Sequence, residues 1–351
     1  MGLFSSGRTL GVDVGTSKLK VVELKKAKGG KAELSTYGMA RLPRDLVRES
    51  SDSIVNEITS TLQAITQKAG MKAKKVYASL PGFSVFSQEI RLPRMAKSQL
   101  EAAVEQEAQK YVPGNINDMV LDWEIIEDIL PPSAATQASA ETTRVLLTAA
   151  PQQLVARYSS IFEQAGLELA SLETEAMALT RSLVGRDRAS AVIIDLGETA
   201  TDVIIVDGGM PRFTRTFDLG GFAMTQAIAK SLQVSHEQAE QFKKDVGLGD
   251  GNASNVPAEL RPVLKMILSE LQSVTTAFEQ QGGKRVERIV LAGGAAKLPG
   301  LAAFLAERTR IPTVVGNPFA RVIHPPELDT LLQGVGPDLG VAIGLSMKEI
   351  Y

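Results

Sequence analysis

A twelve-residue pattern that occurs twice constrains the fold of this chain more than any other feature of its sequence. Residues 11–22 read GVDVGTSKLKVV and residues 193–204 read IIDLGETATDVI, and the two align without a gap at an offset of 182 residues. Each copy is an apolar segment, a short polar turn that contains glycine, and a second apolar segment, which is typical of a β-hairpin. A repeat about half a chain apart predicts two similarly folded lobes that face each other across a cleft.

The turns of the two copies have the composition of a phosphate-binding site. Glycine lets the backbone take unusual dihedral angles and lets a ligand approach closely, and consecutive backbone N–H groups after it can surround an anion. Hydroxyl side chains in the turns add further donors. The predicted phosphate-binding residues are Gly15, Thr16, Ser17 and Lys18 in the first turn and Gly197, Glu198 and Thr199 in the second.

Asp13 and Asp195 precede the two turns at matching positions of the repeat. Two carboxylates from opposite lobes suit a hydrated Mg²⁺ that bridges to phosphate oxygens. Because Asp-x-Gly turns are common in hairpins of no special function, a single copy indicates little. The matched pair predicts a site for ATP or ADP with Mg²⁺, in which Asp13 and Asp195 hold the metal through water.

A third glycine-rich segment adds to this prediction. Residues 289–300 read IVLAGGAAKLPG, which is the pattern of a strand, a diglycine turn and the start of a helix. Taken alone, the segment is most simply interpreted as an ordinary strand-to-helix connection. Beside the two phosphate turns, Gly293, Gly294 and Ala295 are predicted to contact the same ligand, because glycine allows a flat base or a phosphate to approach the backbone and a helix N-terminus favours anions.

The overall composition argues against several other classes of site. A net charge of −2 argues against nucleic acid or an anionic membrane as a partner, and the absence of cysteine excludes disulfides and thiolate sites. His236 and His324 have neither metal-ligand spacing nor a nucleophile motif nearby, which argues against a histidine metal site and a catalytic triad. Met1–Ser6 matches the short N-myristoylation pattern, which is better explained by chance. Because no apolar run approaches 18 residues, we expect a cytoplasmic protein.

Alternating strand and helix patterns suggest how the chain is divided. Residues 82–150 are predicted to form an α+β subdomain inserted into the first lobe. We expect the first lobe to comprise residues 1–187, with a closing helix at 336–351 that packs back on it. The second lobe is then 188–335, with a helical part at about 222–285.

Two segments have the spacing of a helical capping box, in which a hydroxyl and a side chain three residues later satisfy the first N–H groups of a helix. These are Ser98 with Glu101, and Ser235 with Gln238. The segment 131–142 is rich in Pro, Ala, Ser and Thr and is predicted to be the tip of a mobile hairpin.

The two phosphate turns, the diglycine segment and their order along the chain resemble the superfamily of actin, chaperone ATPases and sugar kinases. Through that resemblance, Glu173 corresponds to the acidic residue that positions the attacking water, with Glu175 as the alternative. Gly220 and Gly221 correspond to a further diglycine on the phosphate side of the site.

The helix around residues 239–243 also resembles the superfamily. Glu240 corresponds to a residue that contacts ribose, and Lys243 to one that lies against adenine. Without the other motifs, the simpler interpretation of these two residues is an exposed ion pair one helical turn apart.

Within this superfamily the chain is most similar to the PilM family of type IV pilus assembly and more distantly to FtsA. The similarity extends over nearly the whole chain and includes residues 80–82 (LPG), 166–169 (GLEL), 317–319 (NPF) and 338–345 (DLGVAIGL). It implies an actin-like ATPase fold in which the subdomain at 82–150 is an FtsA-type insertion.

The resemblance also implies a function. In the PilM family a groove beside the inserted subdomain receives the cytoplasmic N-terminal peptide of the inner-membrane protein PilN. We therefore expect an ATP-binding adaptor with at most slow hydrolysis, which contacts the membrane only through PilN and other inner-membrane proteins of the pilus machinery. Self-association, and a related type II secretion or competence system in place of the pilus, remain open.

Two other functions compete with this expectation. An FtsA-like division protein normally ends in an amphipathic membrane-binding helix, whereas this chain reaches Tyr351 directly after an apolar segment, which we expect to count against that function. A sugar or acetate kinase needs a general base beside a hydroxyl-lined pocket, and the sequence offers no convincing candidate.

Overall fold

The computed structural model of the protein describes residues 7–42, 46, 49, 51–126, 142–249 and 256–350. The N-myristoylation pattern at Met1–Ser6 and the predicted hairpin tip, except for its last residue, lie outside the described residues. Within them, no helix combines the length and the apolar character needed to cross a membrane.

Strands make up the sheets of both lobes and of the insertion. In chain order they are β1 (Arg8–Val14), β2 (Lys18–Lys26), β3 (Ala32–Arg41), β4 (Lys75–Leu80), β5 (Phe86–Pro93), β6 (Met119–Ile126), β7 (Thr142–Pro151), β8 (Glu168–Thr174), β9 (Ala191–Leu196), β10 (Thr201–Asp207), β11 (Met210–Phe217), β12 (Arg288–Ala292), β13 (Thr313–Val315) and β14 (Val322–Ile323).

Helices cover the faces of these sheets. They are α1 (Asp52–Lys68), α2 (Lys97–Tyr111), α3 (Gln152–Gln164), α4 (Glu175–Leu179, continued by a π-helical turn at Thr180–Val184), α5 (Gly221–Leu232), α6 (His236–Asp245), α7 (Arg261–Gln280), α8 (Leu301–Thr309) and α9 (Asp329–Ser346).

The sheets of the two lobes share one order of five strands, and the first sheet has β14 as a sixth strand at its edge. The first is β14-β3-β2-β1-β4-β8 and the second is β11-β10-β9-β12-β13. In each, the central strand runs antiparallel to the strand that follows it and parallel to the strand on its other side. The repeat therefore did predict two similarly folded lobes, and Asp13 and Asp195 lie near the ends of the two central strands, β1 and β9.

The central strands are apolar on both faces because helices cover both sides of each sheet. Val192, Ile194 and Leu196 on β9 pack in a core that includes α7, whereas Ile193 faces a second cluster shared with α4 and α9. This double burial fixes the position of each central strand, and with it the position of the turn that follows.

The inserted subdomain has a sheet of its own, in the order β5-β7-β6, and α2 packs against it. The prediction of a capping box at Ser98 is wrong: α2 begins at Lys97 after Ala96, and no side chain caps it. The capping box at Ser235 and Gln238 is confirmed at the start of α6. The two segments differ because Ser235 stands directly before its helix, whereas Ser98 is already inside its own.

Helix α9 packs against the first sheet, as expected of the closing helix, but it begins at Asp329 and includes Pro337. Backbone approaches backbone closely at two glycines: a Cβ on Gly11 or on Gly344 would overlap the carbonyl oxygen of Ala342 or of Ala178, respectively. Strand β14 pairs with β3, so the chain returns to the first sheet before the expected lobe boundary at residue 335.

Candidate functional site

A cavity of about 920 Å³ lies between the two lobes. Its walls are the β1–β2 turn and the start of α4 in the first lobe, and the β9–β10 turn, α5, α6 and the segment after β12 in the second. The predicted site residues that line it are Asp13, Gly15, Thr16, Ser17, Lys18, Asp195, Gly197, Glu198, Gly221, Glu240, Lys243, Gly293, Gly294 and Ala295. Three predicted residues, Glu173, Thr199 and Gly220, are not part of the lining.

The two predicted phosphate turns contact each other across the cavity. The Thr199 hydroxyl donates to the Thr16 hydroxyl at 2.9 Å, and the Ser17 hydroxyl donates to Glu198 Oε2 at 2.8 Å. Each turn is closed by a backbone bond from its glycine to the residue three positions later. An anion that enters between the turns would replace these cross-lobe contacts, since the same hydroxyls would then donate to it.

Lys20, which the sequence analysis did not select, lies beside Asp13 in the wall of the cavity. Its Nζ is 2.8 Å from Asp13 Oδ2. Burial opposes the charged form of this lysine, but Asp13 and Asp195 outweigh that effect and raise the pKa of Lys20 above its ordinary value. The ammonium therefore stays charged, and it is placed to offset negative charge that enters the cavity.

Asp195 belongs to a group of acidic side chains with Asp202 and Glu175. Burial is the largest cause that raises the pKa of Asp195 to about 7, against the opposing charge of Lys20. Burial and the nearby Asp202 raise the pKa of Glu175 well above its ordinary value. The pKa of Asp202 is also raised, chiefly by burial, although Thr216 donates a hydrogen bond to it. Burial in this wall of the cavity therefore shifts the titration of all three carboxyls to higher pH.

Of the two carboxylates weighed for positioning water, Glu175 faces the cavity and Glu173 does not. Arg181 donates to both oxygens of Glu173 at 2.6 and 3.0 Å, and Lys348 Nζ is 3.0 Å from Oε2. Because Glu173 is held by these two cations away from the cavity, the assignment of this role moves from Glu173 to Glu175. Glu175 Oε2 instead accepts a hydrogen bond from the Gly82 N–H at 3.4 Å.

Gly220 and Gly221 bring the start of α5 onto the second phosphate turn. The N–H groups of Gly221 and Phe222 donate to the carbonyls of Gly197 and Glu198 at 2.9 and 2.8 Å. A Cβ on Gly220 would lie 2.6 Å from both of those carbonyl oxygens. Gly220 thus allows a close helix-to-turn contact that holds the turn in place, and Gly221 alone of the two reaches the cavity.

Glu240 and Lys243 are bound to each other and to α5. Lys243 Nζ donates to Glu240 Oε2 at 2.6 Å, to the Thr225 hydroxyl at 2.7 Å and to the Gly221 carbonyl at 3.0 Å. Partial burial opposes ionisation of Glu240, but Lys243 and Thr225 outweigh it and lower the pKa of Glu240 to about 2. All three donors of Lys243 are used, so only its apolar stem is available to pack against a base.

The diglycine segment after β12 is held against both Asp195 and α9. Gly293 has φ +81°, and a Cβ there would overlap Asp195 Oδ1; its N–H donates to the Pro337 carbonyl at 2.8 Å. Next to it Asp338, on α9, accepts from Lys18 at 3.1 Å and from Lys297 at 2.5 Å. Asp338 therefore joins the first phosphate turn to the diglycine segment.

The register of the hairpins explains which residues were missed. Asp13 pairs with Lys20 in β1–β2, and Asp195 pairs with Asp202 in β9–β10. Lys20 and Asp202 are equivalent in the repeat, at the same offset as the two aspartates, yet carry opposite charges. Both Lys20 and Asp202 could have been predicted from the sequence by pairing the two strands of each hairpin. Asp338 could have been found as a lone charge within an apolar helix.

The residues present fit the predicted Mg²⁺. Asp13 is buried, and its Oδ1 has no hydrogen-bond partner among the described residues, so one carboxylate oxygen is available to a hydrated ion. Within the described ranges, no three carboxylate or imidazole groups are close enough together to enclose a metal by themselves. Phosphate oxygens and water would have to complete the coordination, with Asp13 and Asp195 on either side.

A second cavity, of about 480 Å³, lies between β6 of the insertion and β8 of the first sheet. Each of these is an outer strand of its own sheet. Its lining includes the apolar side chains of Val120, Leu121, Trp123, Leu146, Leu172 and Met177. It also includes the charged side chains of Asp122, Glu124, Glu173 and Lys348. We call it the β6–β8 groove.

Comparisons with known proteins agree with this architecture. The family model of the type IV pilus assembly protein PilM matches residues 11–350. A solved structure, the PilM–PilN type IV pilus biogenesis complex, superposes with a TM-score of 0.82 at 26% identity and covers 98% of both chains. The cell division protein FtsA of Enterococcus faecalis is 25% identical over 94% of this chain and 85% of its own length.

A more distant structure shares only the fold. A non-polymerising MamK mutant bound to AMPPNP superposes with a TM-score of 0.51 at 14% identity, covering 97% of both chains. The predicted actin-like ATPase fold is thereby confirmed.

Proposed function

The chain belongs to the family of the type IV pilus assembly protein PilM, and from this we propose that it is an ATP-binding adaptor for a PilN-like inner-membrane protein. The cleft binds ATP or ADP with Mg²⁺, and the β6–β8 groove binds the cytoplasmic N-terminal peptide of the partner. The solved PilM–PilN complex supports the choice of partner. The protein works in the cytoplasm and reaches the inner membrane through that partner.

The observation that carries the proposal is the pair of sheet edges on either side of the β6–β8 groove. Outer strands have unpaired N–H and C=O groups, to which an extended peptide can hydrogen-bond. The apolar lining between them can accept alternate side chains of such a peptide. A short peptide that enters the groove would therefore gain main-chain bonds from the strands and specificity from the pockets.

The groove and the nucleotide cleft meet at one short segment. Glu173 lines the groove and Glu175 lines the cleft, and Thr174 between them is the last residue of β8 and the N-cap of α4. A nucleotide that moves Glu175 also moves the end of β8. The nucleotide can thus change the affinity for the partner, provided that it binds the two arrangements of this segment differently.

Hydrolysis is expected to be slow for a reason that the cleft itself provides. A general base must accept a proton from the attacking water, but burial and neighbouring carboxylates raise the pKa of Glu175 well above its ordinary value, so a smaller fraction of this carboxyl is ionised at a given pH. When bound, Mg²⁺ would offset phosphate charge and act as a Lewis acid. Glu175 can still orient a water by hydrogen bonding, which fits an adaptor whose bound nucleotide persists.

Fluorescence anisotropy of a labelled peptide tests the proposal. The probe is a synthetic N-terminal peptide of the PilN-like protein from the same organism. Val120→Arg inserts a charge into the groove at an exposed position and should weaken binding at least about tenfold, because the charge would be desolvated against apolar side chains. Mg·ATP should change the affinity for the same peptide.

Val315→Arg is the matched control, because Val315 is also on an outer strand and is equally exposed, at 42% against 41% for Val120. It lies in the second lobe, outside the groove, so its peptide affinity should equal that of the unmodified protein. If the two variants lose affinity to the same degree, or if the peptide does not bind at all, the groove is not the partner site.

A further inference from the structure

The other edge of the inserted sheet faces a third cavity, on the side away from the β6–β8 groove. Strand β5 of the insertion and β11 of the second lobe form its walls, and its volume is about 1120 Å³. It adjoins the cleft, because Phe83, Glu175 and Asp202 line both cavities. We call it the β5–β11 groove.

Six cationic side chains line this groove: Arg91, Arg144, Arg188, Arg212, Arg215 and Lys284. The acidic residues of the lining are Glu89, Glu175, Asp202 and Asp207. Of the six cations, Arg215 also pairs with Glu270 outside the lining, which leaves five cations against four acidic residues. The groove therefore has an excess of positive charge in a protein whose net charge is −2.

One carboxylate joins the two walls. Arg144 of the insertion binds Glu89 through both oxygens, at 2.7 and 2.6 Å, and Arg212 of the second lobe reaches the same carboxylate at 3.2 Å. Because the contact bridges the inserted subdomain and the second lobe, the width of the groove depends on how these two bodies are arranged.

Three further cations at the rim, Arg91, Arg188 and Lys284, are exposed and have no ion-pair partner within the described part of the chain. Arginine and lysine side chains on a flexible stem can reach carboxylates that come from outside. These three residues come from different elements, so their charges surround the groove from the inserted sheet, the lobe junction and the end of α7.

Both walls also end in unpaired strand edges. Among the described residues, β5 pairs only with β7, and β11 pairs only with β10. Residues from Phe86 to Glu89 of the first strand and from Pro211 to Thr216 of the second line the groove. An extended main chain between them could form backbone hydrogen bonds with either edge, and a small anion could not.

We propose that the β5–β11 groove binds an extended acidic segment of a second protein partner, at a site separate from the one proposed for the PilN-like peptide. The strand edges supply main-chain hydrogen bonds and the surrounding cations pair with aspartate or glutamate side chains. Because its walls belong to the inserted subdomain and the second lobe, the groove changes shape when the lobes move about the nucleotide. Occupancy of this site is thereby linked to the cleft.

Binding of a labelled oligo-glutamate peptide of about ten residues tests the proposal. The full chain should bind it, and the affinity should fall as salt increases, since exposed charges are screened. The triple variant Arg91→Glu, Arg188→Glu and Lys284→Glu should lose about tenfold or more in affinity. In the complex, amide hydrogen exchange should slow in β5 and β11.

A control variant with the same change of charge separates the groove from the protein surface in general. Lys74→Glu, Lys265→Glu and Arg308→Glu reverse three exposed cations outside all three cavities and should leave the affinity within about twofold of the unmodified protein. Equal losses in both triple variants, or no binding by any of the proteins, would overturn the proposal. The proposal would also be overturned if inorganic polyphosphate bound as tightly as the peptide and the peptide left amide exchange in β5 and β11 unchanged. That result would identify a general anion site to which no peptide strand adds.

Discussion

Glu173 and Glu175 are two residues apart and end in different environments. In a continuous strand, residues two apart point to the same face. Here β8 ends at Thr174, whose hydroxyl accepts the Met177 N–H as a helix cap, so Glu175 is already the first residue of α4. The change from strand to helix between the two residues turns Glu175 towards the cleft and leaves Glu173 with Arg181 and Lys348.

We predict that Glu175→Gln and Glu173→Gln separate the two roles. Because an amide cannot accept a proton from the attacking water, Glu175→Gln should lower the single-turnover rate of ATP hydrolysis by about 10²-fold. Glu173→Gln should keep that rate within about twofold but lower the free energy of unfolding by roughly 1–3 kcal/mol, because it weakens a nearly buried ion pair. Rates and urea unfolding of both variants check this, and a larger rate loss in Glu173→Gln would contradict the assignment.

Asp338 is a second residue whose environment decides its role. Burial alone would raise the pKa of this carboxyl, but Lys297 and Lys18 outweigh burial and hold it below the ordinary value of 3.8. The native state therefore binds fewer protons than the unfolded state as acid is added. The stabilisation is complete above about pH 5 and is lost as pH falls through the native pKa.

Because the pKa of Asp338 is lowered in the native state, we predict that Asp338→Asn is destabilised by roughly 1–3 kcal/mol at pH 7, since the substitution removes one partner of a buried ion pair. The difference from the unmodified protein should shrink as pH falls below about 4. Urea unfolding at a series of pH values measures both. A difference that stays constant down to pH 3 would mean that packing, and not charge, is what Asp338 contributes.

At the scale of elements, α9 owes its position to glycines at which two backbones meet. Gly344 lies against the Ala178 carbonyl, and Gly11 of β1 lies against the Ala342 carbonyl. These contacts hold the helix directly on the central strand and on α4. Gly334 belongs to the same helix, but there a Cβ would meet nothing within 4 Å.

We predict opposite effects of one substitution at these two positions of α9. Gly344→Ala should lower the free energy of unfolding by roughly 2–4 kcal/mol, because the methyl group forces the helix away from α4. Gly334→Ala should raise it by about 0.5–1 kcal/mol, because alanine reduces the entropy of the unfolded chain in an open helical site. Chemical denaturation of both variants tests the packing; destabilisation by Gly334→Ala as well would point to general helix damage.

At the scale of the whole molecule, the two lobes are joined at the phosphate turns by a small set of polar contacts. Thr16–Thr199 and Ser17–Glu198 join the turns directly, and Asp338 joins Lys18 to Lys297. Hydroxyl and carboxylate contacts of this kind are easily replaced by phosphate oxygens and water. The relative position of the lobes therefore responds to what the cleft contains.

We predict that Mg·ATP stabilises the whole molecule by bridging these turns. At about one hundred times its dissociation constant it should raise the free energy of unfolding by about 2.7 kcal/mol, as for any ligand that binds only the native state. ATP with a chelator should stabilise the protein less, because Asp13 and Asp195 then face phosphate without a metal. Thermal unfolding with each addition checks this. Equal shifts of the melting temperature with and without Mg²⁺ would mean that the two aspartates do not hold a metal.

The sequence alone determined the fold and the place of the cleft. Two gapless copies of one hairpin predicted two similarly folded lobes, because local patterns of strand, turn and strand are encoded in neighbouring residues. Asp13, Asp195 and the glycine turns followed directly from that repeat. Expected partners and functions came from the resemblance to a family, and the lobe boundaries near residue 335 were only approximate.

Only the tertiary structure decided which side chains share an environment. The helix cap at Thr174 placed Glu175 in the cleft, and packing of α9 brought Asp338 to Lys18 from 320 positions away. The two grooves beside the insertion likewise depend on which sheet edges face each other. Such pairings depend on distances between elements far apart in the chain, and periodicity within one segment carries no information about them.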